Sequence, residues 1–288
     1  MSDPEIPSSV LEIRSGAVTL AGEQSGDRQG PPIVLLHGLT ATRRYVVMGS
    51  NALQRGGMHV LAYDARGHGH SSPAPGREYG YEHLASDLAA AVGRTGAPHV
   101  ILAGASMGAH TALRFALEHP AQVAGLALIT PSFLPGEPSQ SRELGRWDGL
   151  ARGLREEGVE GFVRAYDLDG VPERWRSTVE TVLRQRLTAH EHPAAVADAL
   201  EVVPRSCPFE SLSQLAEVTA PTVVIASRDE ADPGHPLAVG EAYAEAIPGA
   251  ELVVEAAVDP PRSPIAWQGG QLSNVLLELA ARTGLADG

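Results

Sequence analysis

The side chains best placed for chemistry fall in three short segments. Gly104-Ala105-Ser106-Met107-Gly108 follows the apolar run Val100–Ala103 and precedes an apolar helical pattern. A G-x-S-x-G at a strand-to-helix junction suits a nucleophilic serine: the glycines permit a sharp, close-packed turn, and the hydroxyl stands at the helix N-terminus. His37-Gly38-Leu39 follows Ile33–Leu36, forming a loop able to aim a backbone N–H at a developing oxyanion. Asp64-Ala65-Arg66-Gly67-His68-Gly69-His70-Ser71 follows Val60–Tyr63. A serine so placed, with a loop able to offer an N–H to an oxyanion beside it, could act as a nucleophile.

Such side chains must be positioned by strands ending on one edge. Short apolar, β-branched runs alternate with helical patterns, the signature of a mostly parallel sheet covered on both faces. The expected strands are Val10–Arg14 and Ala17–Ala21 as an antiparallel pair at the sheet edge, then Ile33–Leu36, Val60–Tyr63, Val100–Ala103, Val123–Ile129, Val223–Ala226 and Glu251–Glu255. Helical spacing is expected over Tyr45–Arg55, Tyr81–Arg94, Met107–Glu118, Leu237–Ala246 and near Leu272–Arg282. The rhythm breaks between Pro131 and about Ser213, where Leu144, Trp147, Leu150 and Leu154, then Trp175, Val179, Val182 and Leu187, recur at helical spacing. This stretch holds ten arginines against fourteen acids, and is expected to be an inserted helical lid with a solvated outer face.

HG, then D-x-R-G-x-G-x-S, then G-x-S-x-G, in this order and spacing, resemble the α/β-hydrolase fold superfamily. The resemblance covers nearly the whole chain, and implies a doubly wound α/β core over residues 1–130 and 214–288 with a helical lid over 131–213. It implies Ser106 as nucleophile, with the Leu39 and Met107 N–H groups as oxyanion hole, each such donor being worth roughly 2.7–4 kcal/mol of transition-state stabilisation. Serine, rather than the aspartate of the dehalogenase and epoxide hydrolase branches, points to carboxylester hydrolysis: attack, acyl-enzyme, deacylation by water. The catalytic acid belongs after Val223–Ala226, where Asp232-Pro233-Gly234-His235-Pro236 matches the family's D-x-x-x-P and makes Asp232 the first choice, with Asp229 second.

The chain departs from the family at the base. The loop after the last strand should carry a histidine but reads Asp259-Pro260-Pro261-Arg262-Ser263-Pro264, and no histidine follows His235. Arginine stays protonated near neutral pH and cannot replace it. His235 stands three residues after Asp232, on a loop two strands from the nucleophile strand; strands lie about 4.8 Å apart, so a loop and an imidazole span the roughly 10 Å gap. The expectation is therefore Ser106–His235 oriented by Asp232, with Asp229 or Asp259 as alternative acids. His110, one helical turn past Ser106, is the reserve base.

The other candidates carry plainer readings. His37 is expected to anchor the oxyanion loop, and Asp64, Arg66 and Ser71 to staple loops together. His68-x-His70 belongs to that structural turn rather than to a metal, and His190-x-His192 reads as a solvated helix end before Pro193. Trp147, Phe162, Tyr166 and Trp175 are expected in the lid core, with one or two lining an apolar acyl pocket. Cys207 lacks a placed basic partner and is assigned no chemistry.

Composition sets the outer bounds. The 288 residues are 43% hydrophobic and 20% charged, an ordinary globular balance. All 22 basic residues are arginine, scattered among 35 acids, and the formal charge of −13 argues against nucleic acid or anionic membrane as partners. One cysteine excludes a disulfide scaffold and suits a reducing compartment. Met1–Val10 lacks the apolar stretch of a signal peptide, and no run approaches the roughly 20 residues of a membrane span. A cytoplasmic enzyme without metal or organic cofactor, taking a small or medium apolar ester, is the expectation. Lactone, thioester or carbon–carbon hydrolysis and perhydrolysis stand beside it, as does a non-hydrolytic binding or biosynthetic protein on the same scaffold.

Overall fold

The computed structural model describes residues 6–136, 140–228, 234–255, 267 and 269–285, residues 140–142 by backbone only. Eight strands form one sheet: β1 Ser8–Ser15, β2 Val18–Gly26, β3 Pro32–Leu36, β4 His59–Tyr63, β5 Val100–Ala105, β6 Val123–Ile129, β7 Thr222–Ala226 and β8 Glu251–Val254. Their spatial order is β1-β2-β4-β3-β5-β6-β7-β8. β1 pairs antiparallel with β2, β2 antiparallel with β4, and every later pairing is parallel. The helices are α1 Ala52–Arg55, α2 Tyr81–Thr95, α3 Met107–Glu118, α4 Gln140–Ala165, α5 Glu173–Leu187, α6 Pro193–Val202, α7 Leu237–Ala246 and α8 Gly269–Arg282.

The central strands are apolar at nearly every position because both faces are covered. On one face Val34, Leu36, Leu102, Leu126 and Val224 pack with Leu88, Phe115 and Tyr243 of α2, α3 and α7. On the other, Ile33, Leu35, Ile101, Ala127 and Ile225 pack with Leu53 of α1 and with Leu272, Leu276 and Leu279 of α8. Alternation of period two along each strand sends neighbours to opposite cores. The parallel strands β3 to β7 all end on one edge, which gathers the loops that follow them.

Between β6 and β7 the chain makes a helical excursion, with no strand among its described residues. It has its own core of Leu150, Leu154, Phe162, Leu187, Val196 and Leu200, against which Trp147 and Tyr166 pack. Within α4 the backbone breaks at Gly158, where φ is 63° and ψ −147°, a region closed to most side chains.

Two elements differ from expectation. The leading hairpin is longer at both strands than the sequence pattern suggests. The helix expected over Tyr45–Arg55 is instead a 3₁₀ turn, Arg43–Tyr45, and the short α1. Met48 (φ 48°) and Gly49 (φ 74°) both take left-handed backbone there and stop a continuous helix.

Candidate active site

Ser106 occupies the turn between β5 and α3 with φ 50° and ψ −114°, a strained conformation for a residue with a side chain. Its neighbours leave no other path. A side-chain carbon on Gly104 would strike the Gly108 carbonyl, and one on Gly108 would strike the carbonyls of Leu36 and His37. The turn is held by the Ser106 N–H donating to Ile129 O on β6 at 2.9 Å. Met107 opens α3, so its N–H is among the first-turn donors that no helical carbonyl can take. The loop after β3 lies directly against the serine: a carbon built on Gly38 would stand 3.4 Å from Ser106 Cβ.

His37 fixes that loop. The Ala65 N–H donates to its Nε2 at 2.9 Å, which leaves the ring proton on Nδ1 to be donated to Gly38 O at 2.8 Å. Burial pushes its pKa down to about 4, so the ring is neutral at ordinary pH.

The segment after β4 is a structural staple. Asp64 is wholly buried and accepts from the Arg43 N–H at 2.8 Å, the Arg43 guanidinium and the His70 N–H at 3.1 Å. Arg66 grips Asp87 with Nε and Nη2, both at 2.7 Å. Ser71 Oγ donates to Asp64 O at 2.6 Å and accepts from Ala21 N–H, tying the turn to β2. His68 Nδ1 meets Arg66 O, while exposed His70 meets Glu191 at 2.7 Å. The two imidazoles thus serve different partners, and no group of three or more metal-type ligands occurs among the described residues.

His110 cannot be the base. The Ser132 and Phe133 N–H groups donate to its Nε2 at 3.1 and 3.2 Å, and its Nδ1 faces the Tyr81 hydroxyl at 3.0 Å. With Nε2 accepting, Nδ1 carries the proton, and no lone pair remains for the serine. Burial lowers its pKa to about 3. Its work is to tie the exit of β6 to α3.

His235 is half-buried just before α7, on the connection from β7, two strands from β5. It lies near enough to His110 for its charge to press that pKa lower. Asp229, Asp232, Asp259 and Arg262 lie outside the described residues.

The reading of His190 as a solvated helix end needs correction: it is 7% exposed and bridges two core loops. Its partners are far away in the chain, so local spacing gave no sign of them. The aromatics of the excursion divide, Phe162 buried with Trp147 and Tyr166 against it, whereas Trp175 stays outside that cluster, half-buried beneath Arg174. A polar groove of about 920 Å³ runs beside Arg77, Asp148, Arg155 and Arg205, but none of these site residues lines it.

Residues 31–258 match the alpha/beta hydrolase fold family. A Variovorax paradoxus protein provisionally named the carbamate hydrolase RutD is 28% identical over 210 residues, 73% of this chain and 77% of its own. The 2-hydroxy-6-oxononadienedioate/2-hydroxy-6-oxononatrienedioate hydrolase 2 of Pseudomonas putida is 28% identical over 201 residues, 69% of each chain. Among solved structures, a thermophilic esterase from Thermogutta terrifontis superposes with a TM-score of 0.75 at 25% identity, covering 96% of this chain and 99% of that one. The sheet order, the strained serine turn and these relatives agree: the chain belongs to the alpha/beta hydrolase fold family.

Proposed function

We propose that the protein is a serine hydrolase that cleaves carboxylic esters of small or medium apolar acids through an acyl-enzyme on Ser106. The observation that carries this reading is the Ser106 turn itself: backbone strain kept at the start of α3, with Gly38 of the loop after β3 packed against the serine. In the proposed cycle His235 takes the Ser106 proton as the hydroxyl attacks the ester carbonyl. The Leu39 and Met107 N–H groups receive the oxyanion, and the alcohol leaves with the proton from His235. Water, giving a proton to His235, then attacks the acyl-enzyme; the bond to Ser106 Oγ breaks as Oγ takes that proton back, and the carboxylic acid leaves. Asp232 orients His235, with Asp229 and Asp259 as the other acids. Residues 131–213 form the lid over a core of 1–130 and 214–288, and the lone cysteine and the charge of −13 favour a cytoplasmic protein meeting its substrate in solution.

The relatives include an esterase and a 2-hydroxy-6-oxononadienedioate/2-hydroxy-6-oxononatrienedioate hydrolase, so ester, lactone, thioester and diketone substrates belong in one test panel. A second reading has its own observation. The sequence holds no histidine after His235, as a non-hydrolytic binding or biosynthetic protein on this scaffold would allow. A fluorophosphonate probe separates the two. Wild type should label at Ser106 and S106A should not, while H235A should lose ester turnover by about 10²–10⁴-fold. Failure of wild type to label at any pH moves the assignment to the binding reading.

A further inference from the structure

His190 stands on the connection between α5 and α6, enclosed although its segment is a loop. The Gly69 N–H donates to its Nδ1 at 2.8 Å, so the ring proton sits on Nε2 and is donated to Thr40 O at 3.0 Å. One neutral imidazole thus bridges the loop after β4 and the loop after β3. The Glu191 N–H adds a bond to Gly69 O at 2.9 Å, fixing the segment on the core.

Thr40 is an unusual residue to be held so. Its φ is 71°, left-handed backbone that a β-branched side chain strongly disfavours. It directly follows Leu39, and the Ala41 N–H to Gly38 O bond at 3.0 Å closes the turn around both residues. The Leu39 side chain packs against the excursion cluster that includes Leu150, Phe162 and Val196. The helical excursion therefore holds this turn twice, by an apolar side chain and by an imidazole on the next carbonyl.

We propose that His190 is a positioning residue for the oxyanion hole: its bond to Thr40 O sets the direction of the Leu39 N–H, so the excursion shapes the site as well as covering it. The inference rests on Ser106 and Leu39 acting as proposed above. A misdirected oxyanion donor weakens binding of the transition state more than of the neutral ester, so the effect belongs in kcat rather than KM.

Three variants isolate the bond. In His190→Gln the side-chain nitrogen overlays Nε2, keeping the Thr40 bond while losing the Gly69 one. In His190→Asn the oxygen overlays Nδ1, keeping the Gly69 bond while losing Thr40. His190→Leu loses both. With p-nitrophenyl butyrate as probe, H190N and H190L should lose about 10–100-fold in kcat at nearly unchanged KM, and H190Q should stay within about threefold of wild type. Melting temperatures of H190N and H190Q check that both remain folded. Equal kcat in H190N and H190Q, or a loss confined to KM, overturns the proposal while leaving the serine reading intact. A wild type that neither labels at Ser106 nor turns over the ester removes the serine reading and this inference together.

Discussion

At Ser106 the backbone stores strain that the fold does not need for stability. A residue in this region costs on the order of 1–3 kcal/mol, tolerated because Gly104, Gly108 and Gly38 crowd the turn into one shape. Glycine at 106 would accept φ 50° without a side chain to strain. Ser106→Gly is therefore expected to be inactive yet more stable than Ser106→Ala, by roughly 1 kcal/mol. Thermal melting of the two variants side by side checks this, and equal melting points would mean the turn carries no strain. The serine turn, its glycines and the loop after β3 packed against it were legible because one continuous motif encodes each. Thr40 was not: threonine is a poor residue for left-handed backbone, and its stabilising partner lies 150 positions away.

Among the elements, α3 is tied to the strand exit beside it by His110. That ring satisfies two backbone N–H groups where β6 enters the excursion, and it contacts the Tyr81, Phe133 and Tyr243 rings. His110→Phe fills the space but leaves both N–H groups without an acceptor, at a cost of about 1–3 kcal/mol each. The variant should melt well below wild type yet keep kcat within about tenfold when assayed cold, unlike H235A. A loss of turnover equal to that of H235A would return His110 to the chemistry. Legibility followed the same physics at this scale. Met107–Glu118 and Leu237–Ala246 were readable to the residue because their apolar positions repeat with the helical period. The stretch from Tyr45 to Arg55 has a similar pattern, but Met48 and Gly49 turn the chain, and a hydropathy pattern carries no record of a left-handed backbone. His235 was found only as a way round a missing residue; its proposed acids lie outside the described residues.

For the whole molecule, acid is the weak side. His37, His68, His110 and His190 are all buried, and burial holds the pKa of each below the ordinary value, to about 4 for His37 and about 3 for His110. Above pH 6.5 these rings are neutral in both folded and unfolded chains and set no slope. Below it the unfolded chain takes up protons that the folded one refuses, so stability falls as pH drops from about 6.5 towards 4. The melting temperature should decline steadily across that window, and a flat profile from pH 7 to 5 would count against burial of these rings. The imidazoles join two regions: His37, His68 and His190 lie ring against ring where the loops after β3 and β4 meet the excursion, and His110 ties α3 to the exit of β6. Acid should therefore loosen the site and the scaffold together.

The position of the excursion has a further consequence for the growing chain. β6, Val123–Ile129, is apolar throughout and pairs on its outer side with β7, which begins only at Thr222. During synthesis the sheet must wait with that edge bare while the whole excursion emerges, a template for other chains. An excursion that collects its own apolar core in the interval keeps those side chains from the open edge. A collapse of α4, α5 and α6 on their own core in that interval would protect nascent chains from one another.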